Sequence, residues 1–306
     1  RLLRSIRQLG YRGSLVHYVG MSHYFRLAPV DTAYLAGGAG DPLCTPARAW
    51  HLAFLQECKR TGFSPILSLS YEVLAQHCPE DWKQRDWNGN PSLTGWDPPS
   101  SLLSPANTAA MAWLQSAAAE FVLLMQEAEV GIRFQVGEPW WWIFADGRIC
   151  IYDDAAKAAF GGSPVEISNL RLPLDAAQNA LLDAAGALLA STTAALVQAA
   201  RDAVDPDPLE SLLLVFPPTL LAPDMPEARR ANLPTGWASP AFDRLQVEDY
   251  DWLTQGADAY RRDGYLTINA RLGYPPAQQD YFAGFVLLPE QSDLWRRIDA
   301  GVDEAI

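Results

Sequence analysis

The sequence is short of positive charge. It contains 23 Lys and Arg residues against 36 Asp and Glu residues, and its formal net charge is -13 at pH 7. Proteins that bind the phosphates of nucleic acids need clustered Lys and Arg side chains. We therefore expect no nucleic-acid partner.

Cysteine is also scarce, and its spacing is uninformative. The four cysteines are Cys44, Cys58, Cys78 and Cys150. They form neither a Cys-x-x-Cys pair nor a Cys/His spacing typical of a metal site. We expect free, mostly buried thiols, no metal site and no cofactor.

Long uninterrupted apolar runs are missing. A membrane-spanning helix needs roughly 18 or more predominantly apolar residues without charge. The nearest candidate runs from Ala176 to Val204, but it contains Asp183, Arg201 and Asp202. This pattern predicts an amphipathic helix of a globular protein, so no membrane partner is expected.

The sequence begins at Arg1, within a pattern typical of a helix that ends at Gly10. We interpret it as a piece of a longer protein, whose targeting segment, if it has one, would lie outside this sequence.

Strand and helix patterns alternate along the chain. Helix signals begin at Thr45-Pro46, at Ser104-Pro105 and near Pro173, each with a start typical of helices. Six apolar or β-branched runs bounded by chain-breaking residues predict strands. They are Ser14 to Val19, Pro65 to Ser70, Ile132 to Val136, Leu212 to Phe216, Leu245 to Glu248 and Gly284 to Leu288.

This alternation predicts an α/β fold with a parallel sheet covered by helices, in one domain spanning residues 1–306. We favour a (β/α)8 TIM-type barrel over an open sheet, because no glycine-rich turn follows the first strand. The glycines of Ala36 to Gly40 open no helix and lack a phosphate-binding Lys, so they indicate a turn. If the barrel has eight strands, the first is expected upstream of Arg1.

Residues 140–152 contain a possible seventh strand, from Ile149 to Tyr152. However, Asp146-Gly147 separates two short apolar pairs and is typical of a two-residue hairpin turn. We therefore expect a β-hairpin insertion here rather than a barrel strand.

The stretch Phe134 to Trp142 is the main candidate for function. An alternating apolar run ends in Gly-Glu-Pro, and three tryptophans follow. Active sites of such barrels lie at the carboxyl ends of the strands, where this places Glu138. Trp140, Trp141 and Trp142 cannot all be core, so at least one indole is expected to face the barrel mouth and stack on a sugar ring. The structural alternative is a Glu that caps the next segment above a packed tryptophan cluster.

An apolar strand followed by Glu-Pro resembles the fourth strand of the retaining glycoside hydrolases on (β/α)8 barrels, where an Asn-Glu-Pro motif provides the acid/base. The stretch Asp86 to Pro105 is similar in layout to the loop before that strand in β-galactosidase-like members. Such barrels also occur within phage-tail and gene-transfer-agent proteins. The resemblance implies that Glu138 is the proton donor. Gly137, where the family has Asn, implies an altered or inactive sugar site.

The resemblance also implies a nucleophilic Glu at the end of the seventh strand, and Glu248 occupies the matching position. Asp249 and Asp251 are rivals, because strand ends are uncertain by a few residues. Tyr250 is a candidate sugar contact in the same stretch. The alternative is that these acidic residues begin the next helix, where its dipole favours them.

Other candidates follow from their positions near strand ends. Tyr71 and Glu72 follow the second predicted strand, and the polar loop from Trp82 to Ser104 is expected to fold over the same end of the barrel as Glu138. The candidate sugar contacts are Trp87 and Trp96 in that loop, Tyr71 and Glu72 before it, and His17 and His23 around the end of the first strand.

The sequence thus leads to a glycoside hydrolase-like barrel that binds, and in its active form cleaves, a β-linked glycan. The alternative is a non-catalytic structural or sugar-binding module of a phage-tail-like assembly. The expected partners are carbohydrate and, in the second case, other subunits of a tail particle. A bond-cleaving site requires two carboxyls facing each other across the mouth.

Overall fold

A computed structural model describes residues 1–20, 24–282 and 288–305. Its centre is a sheet of six parallel strands in sequential order, curled into a half-barrel of the TIM-barrel type. The strands are β1 (Gly13–Val19), β2 (Phe63–Ser70), β3 (Ile132–Gly137), β4 (Leu209–Val215), β5 (Arg244–Val247) and β6 (Gln279–Tyr281). The predicted α/β barrel class is therefore confirmed.

Helices connect and cover these strands. They are α1 (Leu2–Gln8), α2 (Thr45–Thr61), α3 (Thr108–Glu127), α4 (Asp154–Ala159), α5 (Ala176–Val204), α6 (Pro217–Leu220), α7 (Ala228–Asn232), α8 (Tyr250–Gln255), α9 (Asp258–Leu272) and α10 (Trp295–Ala305). Short 3-10 helices occur at Ala75–His77, Glu80–Trp82, Thr235–Trp237, Pro276–Gln278 and Pro289–Leu294. Two strand pairs lie outside the main sheet, Ala28–Val30 with Ala33–Leu35 and Glu72–Leu74 with Ser100–Leu102.

Five of the six predicted strands are confirmed within a few residues. The sixth, Gly284 to Leu288, lies almost wholly outside the described residues, and the structure instead pairs β6 with β5. The predicted hairpin is present, since the Phe144 N–H donates to the Arg148 carbonyl and Ile143 bridges Ile149 in antiparallel sense, but its loop has three residues, 145–147, rather than two. Gly147 provides the positive φ that this turn needs.

The start of one helix differs from the prediction. Helix α3 begins at Thr108 rather than at Ser104-Pro105, because Asn107 caps it by accepting from the Ala110 N–H at 3.0 Å. The Ser104 hydroxyl instead donates to Asp153 at 2.9 Å. Helix α2 begins at Thr45 as expected, although the capping position is Cys44 and no side chain caps it.

The core lies between the sheet and its outer helices. Helices α3 and α5 pack against each other and both contact β3. Both are long and apolar enough to cross a membrane by length and composition alone. In the structure their apolar faces are buried, as expected of core helices: Phe121 and Val122 of α3 and Leu182 and Leu189 of α5 are fully covered.

Candidate active site at the strand ends

Four polar side chains meet at the carboxyl ends of the parallel strands. Tyr18 lies near the end of β1, Glu72 follows β2, Glu138 follows β3 and Glu248 follows β5. We call these four residues the mouth cluster. The register places Tyr18 beside Ser68 and Ser70 beside Gly137, so the three strands end at one level.

The Tyr18 hydroxyl joins two of the carboxyls. Its oxygen lies 3.0 Å from Glu72 Oε2 and 2.5 Å from Glu138 Oε2. A tyrosine hydroxyl carries a single hydrogen. Both contacts are full hydrogen bonds only when one carboxyl is protonated and donates to the tyrosine oxygen. The arrangement therefore favours one proton shared by Glu72, Glu138 and Tyr18.

The surroundings of all three carboxyls favour protonation. Burial, helped by the nearby Glu138, raises the pKa of Glu72 to about 8, although hydrogen bonds from Tyr18 and Ser100 oppose the shift. Burial also raises the pKa of Glu138, against the Tyr18 bond. For Glu248, burial followed by the charge of Glu138 raises the pKa to about 8. Paired carboxyls in an apolar setting are typical of acid/base sites.

The backbone of Glu138 is strained. Its φ is +50°, in the left-handed region that non-glycine residues seldom occupy, and Pro139 follows it. Such a conformation costs of the order of 1 kcal/mol or more and persists only where the surroundings enforce it. Here the turn is closed by the Trp140 N–H, which donates to the Glu138 carbonyl at 3.1 Å.

Two amide side chains hold the tryptophan segment that follows. Asn232 of α7 accepts from the Trp141 N–H at 2.8 Å and donates to the Trp141 carbonyl at 2.9 Å. Gln84 donates to the Trp140 carbonyl at 3.0 Å and accepts from the Trp142 N–H at 2.7 Å. Nothing in the local sequence around Gln84 or Asn232 distinguishes these amides from surface ones, so neither residue was predicted.

The three tryptophans have different surroundings. Trp141 is fully buried, and its indole N–H donates to the Ala185 carbonyl of α5 at 3.0 Å. Trp140 is also buried. Trp142 keeps some exposed surface, and within the described part of the chain its indole nitrogen has no hydrogen-bond partner. Of the three, Trp142 is therefore the remaining candidate for a sugar-stacking face.

Two predicted contacts point away from the mouth cluster. The Tyr71 ring is fully buried, with its hydroxyl 3.4 Å from Thr192 of α5. His17 packs its ring against Phe54 and Trp50 of α2. Side chains alternate along a strand, so His17 faces the helices while Tyr18 faces the interior. Placing Tyr71 and His17 at the mouth was wrong, and His23 lies outside the described residues.

The loop from Trp82 to Ser104 lies at the same end of the sheet as Glu138. Its strand Ser100–Leu102 pairs with Glu72–Leu74, and Gln84 holds the segment after Glu138. Trp87 and Trp96 have 40% and 60% of their surface exposed, and Trp87 packs edge-on against Tyr152. Their contact with a sugar stays a prediction. Trp82 is buried beside Trp113.

Gly137 is a position where strands approach closely. A Cβ at this residue would lie 2.5 Å from the Ser68 hydroxyl oxygen of β2. The Asn that the glycoside hydrolases have here would displace Ser68. The close packing of β2 against β3 therefore leaves no space for an Asn side chain at position 137.

Asp249 and Asp251, the rival carboxylates near Glu248, have different surroundings. Asp249 is buried and accepts from the Arg261 guanidinium at 2.7 Å and from the hydroxyls of Tyr265 and Tyr281 at 2.7 and 2.8 Å. Asp251 lies in the first turn of α8, as the helix-start alternative expects. Because Asp249 is committed to this ion pair, Glu248 and Asp251 remain the candidates for the second carboxylate of the site.

Tyr250 lies between these acidic residues and is partly exposed. Its ring centroid is 5.2 Å from that of Phe216, which follows β4. Burial and the charge of Glu248 raise its pKa to about 12, so the hydroxyl stays protonated and can donate to a sugar oxygen. Tyr250 stays a candidate sugar contact.

One expected distance along the sheet was wrong. The resemblance implied that Glu138 and Glu248 end strands three positions apart. In the sheet order only β4 lies between β3 and β5, so the two carboxyls end strands two positions apart. The charge of Glu138 nevertheless contributes to the raised pKa of Glu248.

Comparison with known proteins identifies the family. A family model described as the TIM barrel of the non-contractile tail sheath protein matches residues 1–306. The chain belongs to this family. A comparison with curated proteins gave no match.

Solved structures support the fold. The glycoside hydrolase domain of PgaB (BpsB) from Bordetella bronchiseptica is 14% identical, with a TM-score of 0.55 over 91% of this chain and 75% of that one. A variant of the glycoside hydrolase domain of PelA from Pseudomonas aeruginosa is 15% identical, with a TM-score of 0.39 over 83% and 79% of the two chains. The first shows that this tail sheath barrel shares its fold with glycoside hydrolases.

The raised pKa of Glu248 leads to a pH prediction. Folded, the carboxyl keeps its proton up to about pH 8, whereas the ordinary value is 4.5. Between these values the unfolded chain binds fewer protons, so the contribution of Glu248 to stability is complete below pH 4.5 and is lost as pH rises towards 8. We expect wild type to lose about 1–2 kcal/mol more free energy of unfolding than Glu248→Gln between pH 6.5 and 8.

Urea denaturation at several pH values measures this difference. Glu129→Gln is the control, because Lys59 lowers the pKa of the exposed Glu129 and its titration lies outside the window. Parallel curves for wild type and Glu248→Gln from pH 6.5 to 8 would show that Glu248 titrates normally.

Proposed function

We propose that this barrel is a tail-particle component that binds a glycan at the mouth cluster and cleaves a β-linked glycosidic bond there. The observation that supports it is the pair of carboxyls on one tyrosine hydroxyl. Membership of the tail sheath family supports a place in a tail particle assembled with other subunits.

Glu138 is the proposed proton donor. Its pKa is raised by burial, and the hydroxyl it shares with Glu72 keeps a proton beside it. It retains partial exposure, whereas Glu72 is 4% exposed. A general acid must hold its proton at the working pH and reach the leaving oxygen. Glu138 meets both requirements better than Glu72, which we assign to positioning through Tyr18.

Glu248 is the proposed nucleophile of a retaining mechanism. It would attack the anomeric carbon while Glu138 protonates the leaving oxygen, and water activated by Glu138 would then release the sugar. Glu72 is the competing assignment. The Oε2 atoms of Glu72 and Glu138 both bond the Tyr18 hydroxyl oxygen, so the sum of the two hydrogen-bond lengths is the upper limit of their separation. This limit is compatible with the roughly 5–5.5 Å between the carboxyls of retaining glycoside hydrolases.

A second function is favoured by one observation. Gly137 leaves no side chain to hold the sugar hydroxyl that Asn holds in the glycoside hydrolases, and Ser68 fills the adjacent space. This supports a barrel that keeps exposed aromatic rings and binds surface sugar without turnover, as a structural or adhesive module of the tail.

The test is a panel of activated aryl β-glycosides assayed with the wild-type chain from pH 6 to 9, together with binding of unmodified oligosaccharides by calorimetry. We expect turnover that rises towards pH 8, because the proposed nucleophile must ionise. Saturable sugar binding without turnover would support the second function. A chain that neither cleaves nor binds any sugar in the panel would contradict both.

A further inference from the structure

A pocket lined by α5, α7 and α9 contains no residue of the mouth cluster. It has a volume of about 620 Å³ and lies between α5 and the segment from α7 to the 3-10 helix Thr235–Trp237. Its charged lining residues are Asp183, Arg229, Arg230 and Arg271. Three guanidinium groups around one pocket are unexpected in a chain whose net charge is -13.

The three arginines differ in how their charge is balanced. Nη1 of Arg230 donates to both carboxylate oxygens of Asp183, at 2.9 and 3.0 Å, and Arg230 also pairs with Glu227. Arg271 donates to a backbone carbonyl, that of Leu233. Within the described residues neither Arg229 nor Arg271 forms an ion pair with a carboxylate. Two guanidinium groups of the pocket are therefore without an ion-pair partner in the described part of the chain, although the charges of Asp183 and Glu227 act on Arg271 in the direction that raises its pKa.

Electrostatic repulsion between these arginines also indicates that Arg229 and Arg271 lack an ion-pair partner among the described residues. Burial, followed by the charge of Arg229, lowers the pKa of Arg271. Like charges held close together in a half-buried position are unfavourable unless an anion joins them. Guanidinium groups bind phosphate and carboxylate oxygens through paired N–H donors.

We propose that this pocket binds a doubly charged anion, a phosphate group that is either free or carried on a sugar. A phosphate dianion would give Arg229 and Arg271 the ion-pair partner that each lacks in the described structure, while Arg230 is already paired with Asp183 and Glu227. The pocket volume exceeds that of phosphate alone, which leaves space for an attached sugar. Since the pocket lies outside the mouth cluster, this inference does not depend on the proposed hydrolysis.

The pocket is also connected to the mouth through α7. This helix carries Arg229 and Arg230, and its last residue, Asn232, holds the Trp141 backbone. Bound phosphate would therefore be expected to stabilise the segment after Glu138 as well as the pocket itself.

Titration calorimetry of the whole chain tests the proposal with inorganic phosphate, glucose 6-phosphate and the singly charged glucuronate at constant ionic strength. We expect saturable binding of one or both phosphates and weaker binding of glucuronate. Arg229→Gln is expected to weaken phosphate binding about tenfold, because it removes one of the guanidinium groups that would form an ion pair with the phosphate. Preference for the sugar phosphate would identify a glycan as the source, and equal affinity would indicate the free ion.

Arg48→Gln is the control, since Arg48 lies on the surface of α2 and pairs with Glu127. It should leave phosphate binding unchanged. Arg271→Lys is a second variant that keeps the positive charge but loses the paired N–H donors of the guanidinium group. Thermal unfolding without ligand checks that all variants fold. The proposal is overturned if neither phosphate binds, if glucuronate binds better, or if Arg229→Gln and Arg48→Gln bind phosphate alike.

Discussion

Replacing Glu138 with Gln is expected to lower kcat/KM about a thousandfold on glycosides with poor leaving groups. Gln has the same shape but no transferable proton, and general acid catalysis contributes typically 10²–10⁴-fold. Glycosides with good aryl leaving groups need less protonation, so the loss there should be smaller. Comparing kcat/KM for the two substrate types therefore distinguishes the loss of a proton donor from a general loss of activity.

Glu248→Gln separates the nucleophile from the acid. A nucleophile is required whatever the leaving group, so this variant should lose activity on both substrate types.

Glu72→Gln should shift the pH profile through Tyr18 with a smaller loss. Glu80→Gln, at an exposed carboxyl that pairs with Lys83 and Arg85, is the control. If Glu72→Gln loses activity on all substrates and Glu248→Gln on none, then Glu72 is the nucleophile. Full activity in Glu138→Gln would remove it from the mechanism.

The sequence predicted the barrel class because strand and helix periods are local properties. Alternation also placed Glu138 at a strand end, since Gly-Glu-Pro breaks the run from Ile132. The alternation did not predict the direction in which each side chain near a strand end points. Tyr71 and Glu72 are adjacent, yet Tyr71 packs under α5 and Glu72 turns to the mouth cluster.

Tyr18 shows which signal was overlooked. The first strand alternates, and His17 was selected only for its position near the end of that strand. Parity along the strand sets Tyr18 on the opposite side from His17 and Val19, and Val19 is an apolar core position. A consistent application of that alternation would have selected Tyr18. Its two carboxyl partners lie 54 and 120 residues away, and such pairing depends on the sheet register.

The ion pair behind Glu248 is expected to be the most sensitive structural contact near the site. Arg261 and Asp249 are 2% and 1% exposed, and Tyr265 and Tyr281 also bond Asp249. Arg261→Met would leave a buried carboxylate without its counter-charge. We expect the free energy of unfolding in urea to fall by about 3–5 kcal/mol.

Arg262→Met is the matched control, because Arg262 also contacts Glu304 but is 65% exposed. An exposed ion pair contributes about 0–1 kcal/mol, so this variant should be close to wild type. Neutralising the orphaned acid with Asp249→Asn should restore part of the stability of Arg261→Met, since the two residues are coupled. Equal losses in Arg261→Met and Arg262→Met would contradict the buried pair. Because Asp249 directly follows Glu248, the same pair fixes the chain where Glu248 enters the mouth, and sugar binding should weaken with it.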